Sequence, residues 1–152
     1  MKRIPLRIVT LLVAAIALAS PLSAADKAIQ IEKPWARASI LKSRPGAAYL
    51  KIVNRSETRD RLLSVSSPLA GKVSIHLSEM SNGVMMMSPM HDLPIEPGAS
   101  VTLKPGGLHL MLMKLRVPLK KGGKLPLTLN FEIAGKIDIQ AQVLGIGAVG
   151  PD

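Results

Sequence analysis

The side chains best suited to bind a metal ion are concentrated in residues 72–113, about a quarter of the 152-residue chain. This stretch holds all three histidines and seven of the eight methionines, and the chain contains no cysteine. Thioether sulfur is a soft donor that selects Cu(I) over harder ions, and imidazole also suits copper. The stretch therefore predicts a copper site.

Part of this stretch has the pattern of a β-hairpin. Apolar and polar residues alternate over residues 73–78, and Asn82-Gly83 is typical of a tight two-residue turn. The register set by this turn contains three cross-strand pairs: Met80 with Met85, Ser78 with Met87, and His76 with Pro89. The donor side chains that then share one face are those of His76, Met80, Met85 and Met87. A slip of one residue would move one strand's side chains to the opposite face.

A second alternating segment, residues 108–113, follows the turn sequence Lys104-Pro105-Gly106-Gly107. His109 and Met111 are two residues apart, so on a strand their side chains point to the same face. The hairpin and this strand could each supply one nitrogen and one sulfur. Such a tetrahedral set suits Cu(I), whereas zinc prefers thiolate, imidazole or carboxylate ligands. Without cysteine, a blue-copper centre and an iron–sulfur cluster are both excluded.

Short apolar runs separated by Gly, Pro, Asn and Ser clusters continue through the rest of the chain, which is typical of an all-β protein. The predicted strands are residues 28–32, 47–54, 61–66, 73–80, 84–90, 100–104, 108–115, 125–133 and 136–144. No convincing helical period is present beyond the N-terminal region. Many short alternating strands predict a two-sheet sandwich or a Greek-key barrel.

The N-terminus has the three parts of a secretory signal peptide. Lys2, Arg3 and Arg7 precede an apolar run over residues 8–19, and small residues follow up to Ala25. The run is shorter than the roughly 20 residues that a membrane span needs, although an uncleaved anchor is the alternative. No cysteine follows it, which argues against a lipid anchor. We predict a signal peptide at residues 1–25 and a single domain at residues 26–152.

The predicted mature domain is basic. Three of the 20 basic residues and none of the ten acidic residues lie in the signal peptide, which leaves a net charge of +7. Binding to nucleic acid is not expected, because the signal peptide predicts a protein exported from the cytoplasm. In addition, the side chains that could stack on bases are only those of Trp35, Tyr49 and Phe131. The charge would steer the domain to an acidic protein face or, transiently, to a membrane surface; a generic solvated surface is the alternative.

The spacing of the candidate ligands, H-x10-M-x21-H-x-M, resembles that of the periplasmic copper chaperone family known as PCuAC. The segments that also look family-like are Pro34-Trp35-Ala36-Arg37, Gly46-Ala47-Ala48-Tyr49, Asn54, residues 104–112 and residues 126–129. The resemblance implies a cupredoxin-like Greek-key β-sandwich. It also implies one Cu(I) per chain, held by His76, Met87, His109 and Met111. The implied task is delivery of copper in the periplasm to the dinuclear copper centre of cytochrome c oxidase, alongside a thiol-bearing partner chaperone.

Other donors in the same stretch leave the ligand set open to additions. Met85 and Met90 could form a sulfur-rich access route for incoming copper or could simply pack. His91 could be a spare ligand or a solvated turn residue. Met80 and Met113 could add weak axial contacts, although core packing is the favoured interpretation of Met113.

Three other functions compete with a monomeric carrier that has no catalytic residues. A periplasmic copper storage or resistance protein would use the methionine-rich surface to bind more than one ion. A copper oxidoreductase would need more nitrogen or oxygen ligands, to support Cu(II), than this chain gathers. A structural β-sandwich would bind no metal.

Overall fold

Strands form the regular secondary structure of the computed structural model, which describes residues 28–151. They are β1 (Ile29–Arg37), β2 (Gly46–Asn54), β3 (Asp60–Ser66), β4 (Ala70–Ser81), β5 (Val84–Met90), β6 (Leu93–Ile95), β7 (Ser100–Leu103), β8 (Leu108–Leu115), β9 (Lys124–Phe131) and β10 (Lys136–Leu144). All nine predicted strands are present. The predicted signal peptide, residues 1–25, lies outside the described residues. Within them, no helix has the length and apolar character of a membrane span.

The strands hydrogen-bond in the order β5-β4-β8-β2-β1-β10-β9-β3-β6, and β7 pairs with the part of β2 that β8 leaves free. β1 connects the two halves of this order, because it pairs antiparallel with β2 on one side and parallel with β10 on the other. Side chains from both halves, such as Leu62 and Leu110, are buried in one core. The predicted all-β sandwich is confirmed, with its two layers continuous through β1.

A bulge in β1 explains why the sequence predicted too short a first strand. The register with β2 shifts between Glu32 and Trp35. Lys33 there has a positive φ of 45°, and Pro34 has no backbone N–H to donate, so the ladder is interrupted. The strand nevertheless resumes and continues to Arg37, where it pairs with β10.

The short strand β6 was not predicted. It is three residues long, has Pro94 at its centre, and pairs with β3 at the edge of the sheet. Proline is tolerated at an edge because its missing N–H costs no ladder hydrogen bond on the outer side. A short, proline-containing segment carries little strand signal, so its assignment depends on the neighbouring β3.

The outer face of β1 and β2 carries a second packed layer. Trp35 stacks against Tyr49 with ring centroids 4.4 Å apart and planes inclined by 33°. The guanidinium of Arg37 lies 5.8 Å from the Tyr49 ring centroid, and its Nε–H donates to the carbonyl of Ala148 at 2.8 Å. Trp35 and Tyr49 are both buried, so β1 and β2 are covered here on the outer face as well as on the core face.

The alternation along β8 decides which side chains reach the outer face. Leu110 and Leu112 are fully buried in the core. His109 and Met111 occupy the intervening positions, so they point to the opposite face of the sheet.

Candidate metal centre

The four predicted ligands lie on one face of three adjacent strands. The predicted hairpin register is confirmed, since Ser78 pairs with Met87 and His76 pairs with Pro89 between β4 and β5. On the other side of β4, His76 pairs with His109 and Ser74 pairs with Met111 of β8. Directly paired residues share a face. The side chains brought together in this way are those of His76, Met87, His109 and Met111.

The two imidazoles form the centre of this cluster. His76 and His109 occupy directly opposite positions on neighbouring strands, with ring centroids 5.9 Å apart and planes inclined by 37°. His109 is only 8 % exposed, whereas His76 is partly buried. Two imidazole rings this close could each offer a nitrogen to one ion between them.

A hydrogen bond orients the ring of His76. Its Nε2 lies 3.0 Å from the Oγ of Ser74, two residues earlier on the same strand. Its Nδ1 is buried and has no hydrogen-bond partner, and no other side-chain N or O buried in this way within residues 28–151 lacks one. A buried polar atom without a partner is costly unless something else satisfies it. When Nε2–H donates to Ser74, the Nδ1 lone pair is free to bind a metal ion.

The ring of His109 is held through its other nitrogen. Its Nδ1 lies 3.0 Å from the carbonyl oxygen of Gly107, and this oxygen also accepts the backbone N–H of Ser78 at 3.1 Å. A carbonyl can only accept, so Nδ1 carries a proton, and in the neutral ring Nε2 keeps its lone pair. Partners of this kind commonly fix the tautomer of a metal-binding histidine.

The turn before β8 places that carbonyl. Gly107 N–H donates to the carbonyl of Lys104 at 3.1 Å, and Gly106 has a positive φ of 78°. Glycine adopts this backbone conformation without the strain that a Cβ would bring. The sequence signalled a turn here, but the roles of Ser74 and of the Gly107 carbonyl were not predicted. The only signal for Ser74 was its position two residues before His76, on the same face.

The electrostatics of the pair favour a neutral imidazole. Burial lowers the pKa of His76 below its ordinary value of 6.5, and repulsion from His109, when that ring is protonated, and from Lys72 lowers it further. Desolvation and like charges both disfavour the imidazolium. Metal ions bind the neutral form, so this environment favours the form of His76 that could bind a metal ion.

The two methionines flank the imidazoles. Met87 pairs with Ser78 and Met111 with Ser74, so each lies diagonal to His76 on a neighbouring strand, which is within reach of a long side chain. Met111 is partly buried, whereas Met87 is 50 % exposed. Within residues 28–151, no three His, Cys, Asp or Glu side chains form a group that could hold a metal ion.

The remaining donors fall in different places. Met80 and Met85 pair at the hairpin tip, on the face of His76. Met90 pairs with the buried Ile75 and packs against the core, so its suggested association with Met85 is wrong. His91 lies exposed in the bend after β5.

Met113 also differs from the prediction. It pairs with Lys72 on the face that carries His109 and Met111, and it is only partly buried. The core packing favoured from the sequence is therefore wrong. The reason is the strict alternation along β8, which places every odd-numbered residue from 109 to 113 outside the core.

Fold and site together define an all-β sandwich domain with imidazole and thioether groups clustered on one outer face. A family model described as LpqE-like, for lipoproteins of that type, matches residues 29–143, and the chain belongs to this family. The chain is 31% identical over 104 residues to a Leifsonia xyli subsp. xyli protein named as a lipoprotein, Lxx21020. The match covers 68% of this chain but 61% of that relative, so the chain spans less than two thirds of the relative's length.

Solved structures of PCuAC domains are similar to this chain over most of its length. The copper-bound PCuAC domain from PmoF2 is 30% identical with a TM-score of 0.67, covering 78% of this chain and 93% of that domain. The solution structure of CuI-DR1885 from Deinococcus radiodurans is 28% identical with a TM-score of 0.57, covering 80% and 83%. These domains have a cupredoxin-like β-sandwich fold, so the predicted fold class and the resemblance to PCuAC domains are confirmed.

Proposed function

We propose that this protein is an exported copper chaperone that binds one Cu(I) through His76, Met87, His109 and Met111. The observation that carries the proposal is the buried Nδ1 of His76, which has no hydrogen-bond partner and stands opposite a second imidazole, with a thioether on either side. The similarity to the copper-bound PCuAC domain from PmoF2 and to CuI-DR1885 supports the choice of ion.

The chemistry of the donor set suits a cargo ion. Two neutral nitrogens and two neutral sulfurs match the preferences of Cu(I) and leave its charge uncompensated. Thioethers bind without losing a proton and release the ion without gaining one. Thiolates of an acceptor protein add both softness and negative charge, so transfer to them is favourable.

The exposure of the ligands indicates how the ion would be released. His109 is 8 % exposed and is held by a backbone carbonyl, whereas Met87 is 50 % exposed on the outermost strand of the sheet. Met87 is thus the ligand that an acceptor can displace first. The imidazoles would hold the ion in a shared intermediate until the acceptor's ligands replace them.

We assign the site no catalytic residue, because ligand exchange needs no acid, base or nucleophile. The acceptor we propose is the dinuclear copper centre of a cytochrome c oxidase subunit, with a thiol-bearing partner chaperone, in the periplasm. This assignment rests on the resemblance to the PCuAC family. We further propose a monomeric carrier whose net charge of +7 over residues 26–152 attracts it to acidic protein faces and, transiently, to the membrane surface.

A Cu(I) competition titration of residues 26–152, under anaerobic reducing conditions, tests the binding step. We expect one tight equivalent that His76→Ala and Met111→Ala both weaken. Met86→Leu is the control, because Met86 is 50 % exposed and pairs with Glu79 on the opposite face of the hairpin. Binding of several weak Cu(I) equivalents, with affinities that neither ligand variant changes, would exclude the chaperone function.

The exposed methionines favour a second candidate, a copper store. Met80, Met85 and Met86 are each at least half exposed, as is Met87. A store would retain several equivalents when it is mixed with the soluble copper-binding domain of an oxidase subunit. A chaperone would transfer its single ion to that domain.

A further inference from the structure

The hairpin β4–β5 projects beyond the rest of the sheet. β8 pairs with β4 only as far as Leu77, and the pairing of β4 with β5 continues to Ser81 and Val84. This tip is a two-stranded ribbon with solvent on both faces. Its apolar side chains are exposed: Met80 by 64 %, Val84 by 59 % and Met85 by 55 %.

Three thioethers share one face of this ribbon. Met80 and Met85 are directly paired, which places their Cβ atoms about 4.5–5.5 Å apart. Met87 is the next residue on that face of β5, about 7 Å along the strand from Met85. Long, flexible methionine side chains can close such gaps around one ion.

Packing does not account for these methionines. Met90, on the same hairpin, is partly buried against the core, whereas Met80 and Met85 have more than half of their surface in solvent. Contiguous apolar patches on a protein surface often mark binding sites. Soft sulfur donors, rather than bulk, are what distinguish Met80 and Met85 from other apolar residues.

We propose that Met80, Met85 and Met87 form a second, all-thioether Cu(I) site at the hairpin tip, from which the ion passes to the imidazole pair. This inference rests on the proposed function, because it concerns the route to the same site. Met87 would stay bound throughout, while the ion exchanges the sulfurs of Met80 and Met85 for the nitrogens of His76 and His109 and the sulfur of Met111. Every ligand is neutral, so no proton or electron moves.

The direction of transfer follows from the donors. The tip site offers three thioethers, whereas the site at the imidazole pair offers two imidazoles and two thioethers. An exposed, weaker site suits capture from solution or from a donor, and a partly buried, stronger site suits retention. Because Met87 is common to both, the ion would be passed on without being released to solvent.

The tip site can be isolated by removing the imidazoles. In His76→Ala/His109→Asn, the asparagine amide retains a donor for the Gly107 carbonyl, which protects the fold. We expect this variant to bind Cu(I) more weakly than the wild type, with only sulfur scatterers in its copper X-ray absorption spectrum. Adding Met80→Leu/Met85→Leu should abolish that binding, and adding Met86→Leu should not. Absence of binding, or binding indifferent to the Met80 and Met85 changes, would overturn the proposal.

Loading kinetics test the route in the protein with both imidazoles. Stopped-flow transfer of Cu(I) from a chromogenic chelator should be several-fold slower in Met80→Leu/Met85→Leu than in Met86→Leu, with a loss of rate that exceeds any loss of affinity. Equal rates would overturn the route. Failure of the proposed function is separate, because then the wild type would bind no tight equivalent at all.

Discussion

His76 and His109 face each other across β4 and β8 with ring centroids 5.9 Å apart, and each ring is held through a different nitrogen. Nε2 of His76 is bonded to Ser74, whereas Nδ1 of His109 is bonded to the Gly107 carbonyl. When Nε2–H of His76 donates to Ser74 and Nδ1–H of His109 donates to Gly107, the lone pairs left over in the neutral rings are Nδ1 of His76 and Nε2 of His109. These two hydrogen bonds hold the rings in the orientation that the proposed site uses.

Ser74→Ala should weaken Cu(I) binding without removing a ligand. The hydroxyl orients His76, and loss of such a supporting group typically costs about 10–100-fold in metal affinity. Competition titration with a Cu(I) chelator measures the change. Ser74→Thr, which keeps the hydroxyl, should retain most of the affinity. An equal loss of Cu(I) affinity in both variants would show that the hydrogen bond between Ser74 and His76 does not contribute to binding.

Met87→Leu and Met86→Leu are a matched pair, since both residues are 50 % exposed and adjacent on β5 but lie on opposite faces. We expect Met87→Leu to lower the affinity for Cu(I) and Met86→Leu to leave it unchanged. Neither should alter the free energy of unfolding of the apo protein by more than about 0.5 kcal/mol, because both positions are at the surface. Titration and urea unfolding give the two quantities. A similar affinity in both variants would remove Met87 from the ligand set.

The pKa of His76 predicts the pH dependence of the apo protein. Because burial, then His109 and Lys72, lower this pKa below 6.5, the unfolded chain takes up a proton at His76 before the folded chain does. The unfolded state binds more protons in that interval, so stability falls as the pH drops from about 6.5 through the folded pKa, and then levels off.

An NMR titration of the apo protein checks this directly, through the imidazole C–H resonances of His76. Urea unfolding should show the fall in the free energy of unfolding of the wild type as the pH drops, and this contribution should be absent from His76→Gln. Titration of His76 at or above pH 6.5 would contradict the prediction.

Leu110→Ala should destabilise the fold while leaving the donor groups in place. Leu110 lies between His109 and Met111 in the sequence, but its side chain points to the opposite face and is fully buried in the core. Leucine-to-alanine changes at such positions cost about 2–5 kcal/mol, depending on how far the cavity collapses. Urea unfolding measures the loss, and the folded fraction should still bind one Cu(I). A cost below about 1 kcal/mol would contradict full burial in a well-packed core.

Local patterns account for much of what could be predicted. Alternation located nine of the ten strands found in residues 28–151, and the Asn82-Gly83 turn set the register that pairs Met80 with Met85. Those signals are strong because a two-residue turn and a buried face leave few alternatives. They also placed His76 and Met87 on a common face, and His109 and Met111 on a common face, before the two segments were known to be neighbours.

The adjacency of β4 and β8 was decided by tertiary structure. Alternation states which face a side chain occupies, but it carries no information on which distant strand lies alongside. Packing of Ile75 and Leu110 into one core brings His76 opposite His109. The hydrogen bonds that Ser74 and the Gly107 carbonyl make to these rings could be seen only in the tertiary structure. The sequence by itself therefore determined the donor types and their faces, whereas long-range burial of the apolar faces determined that the donors meet.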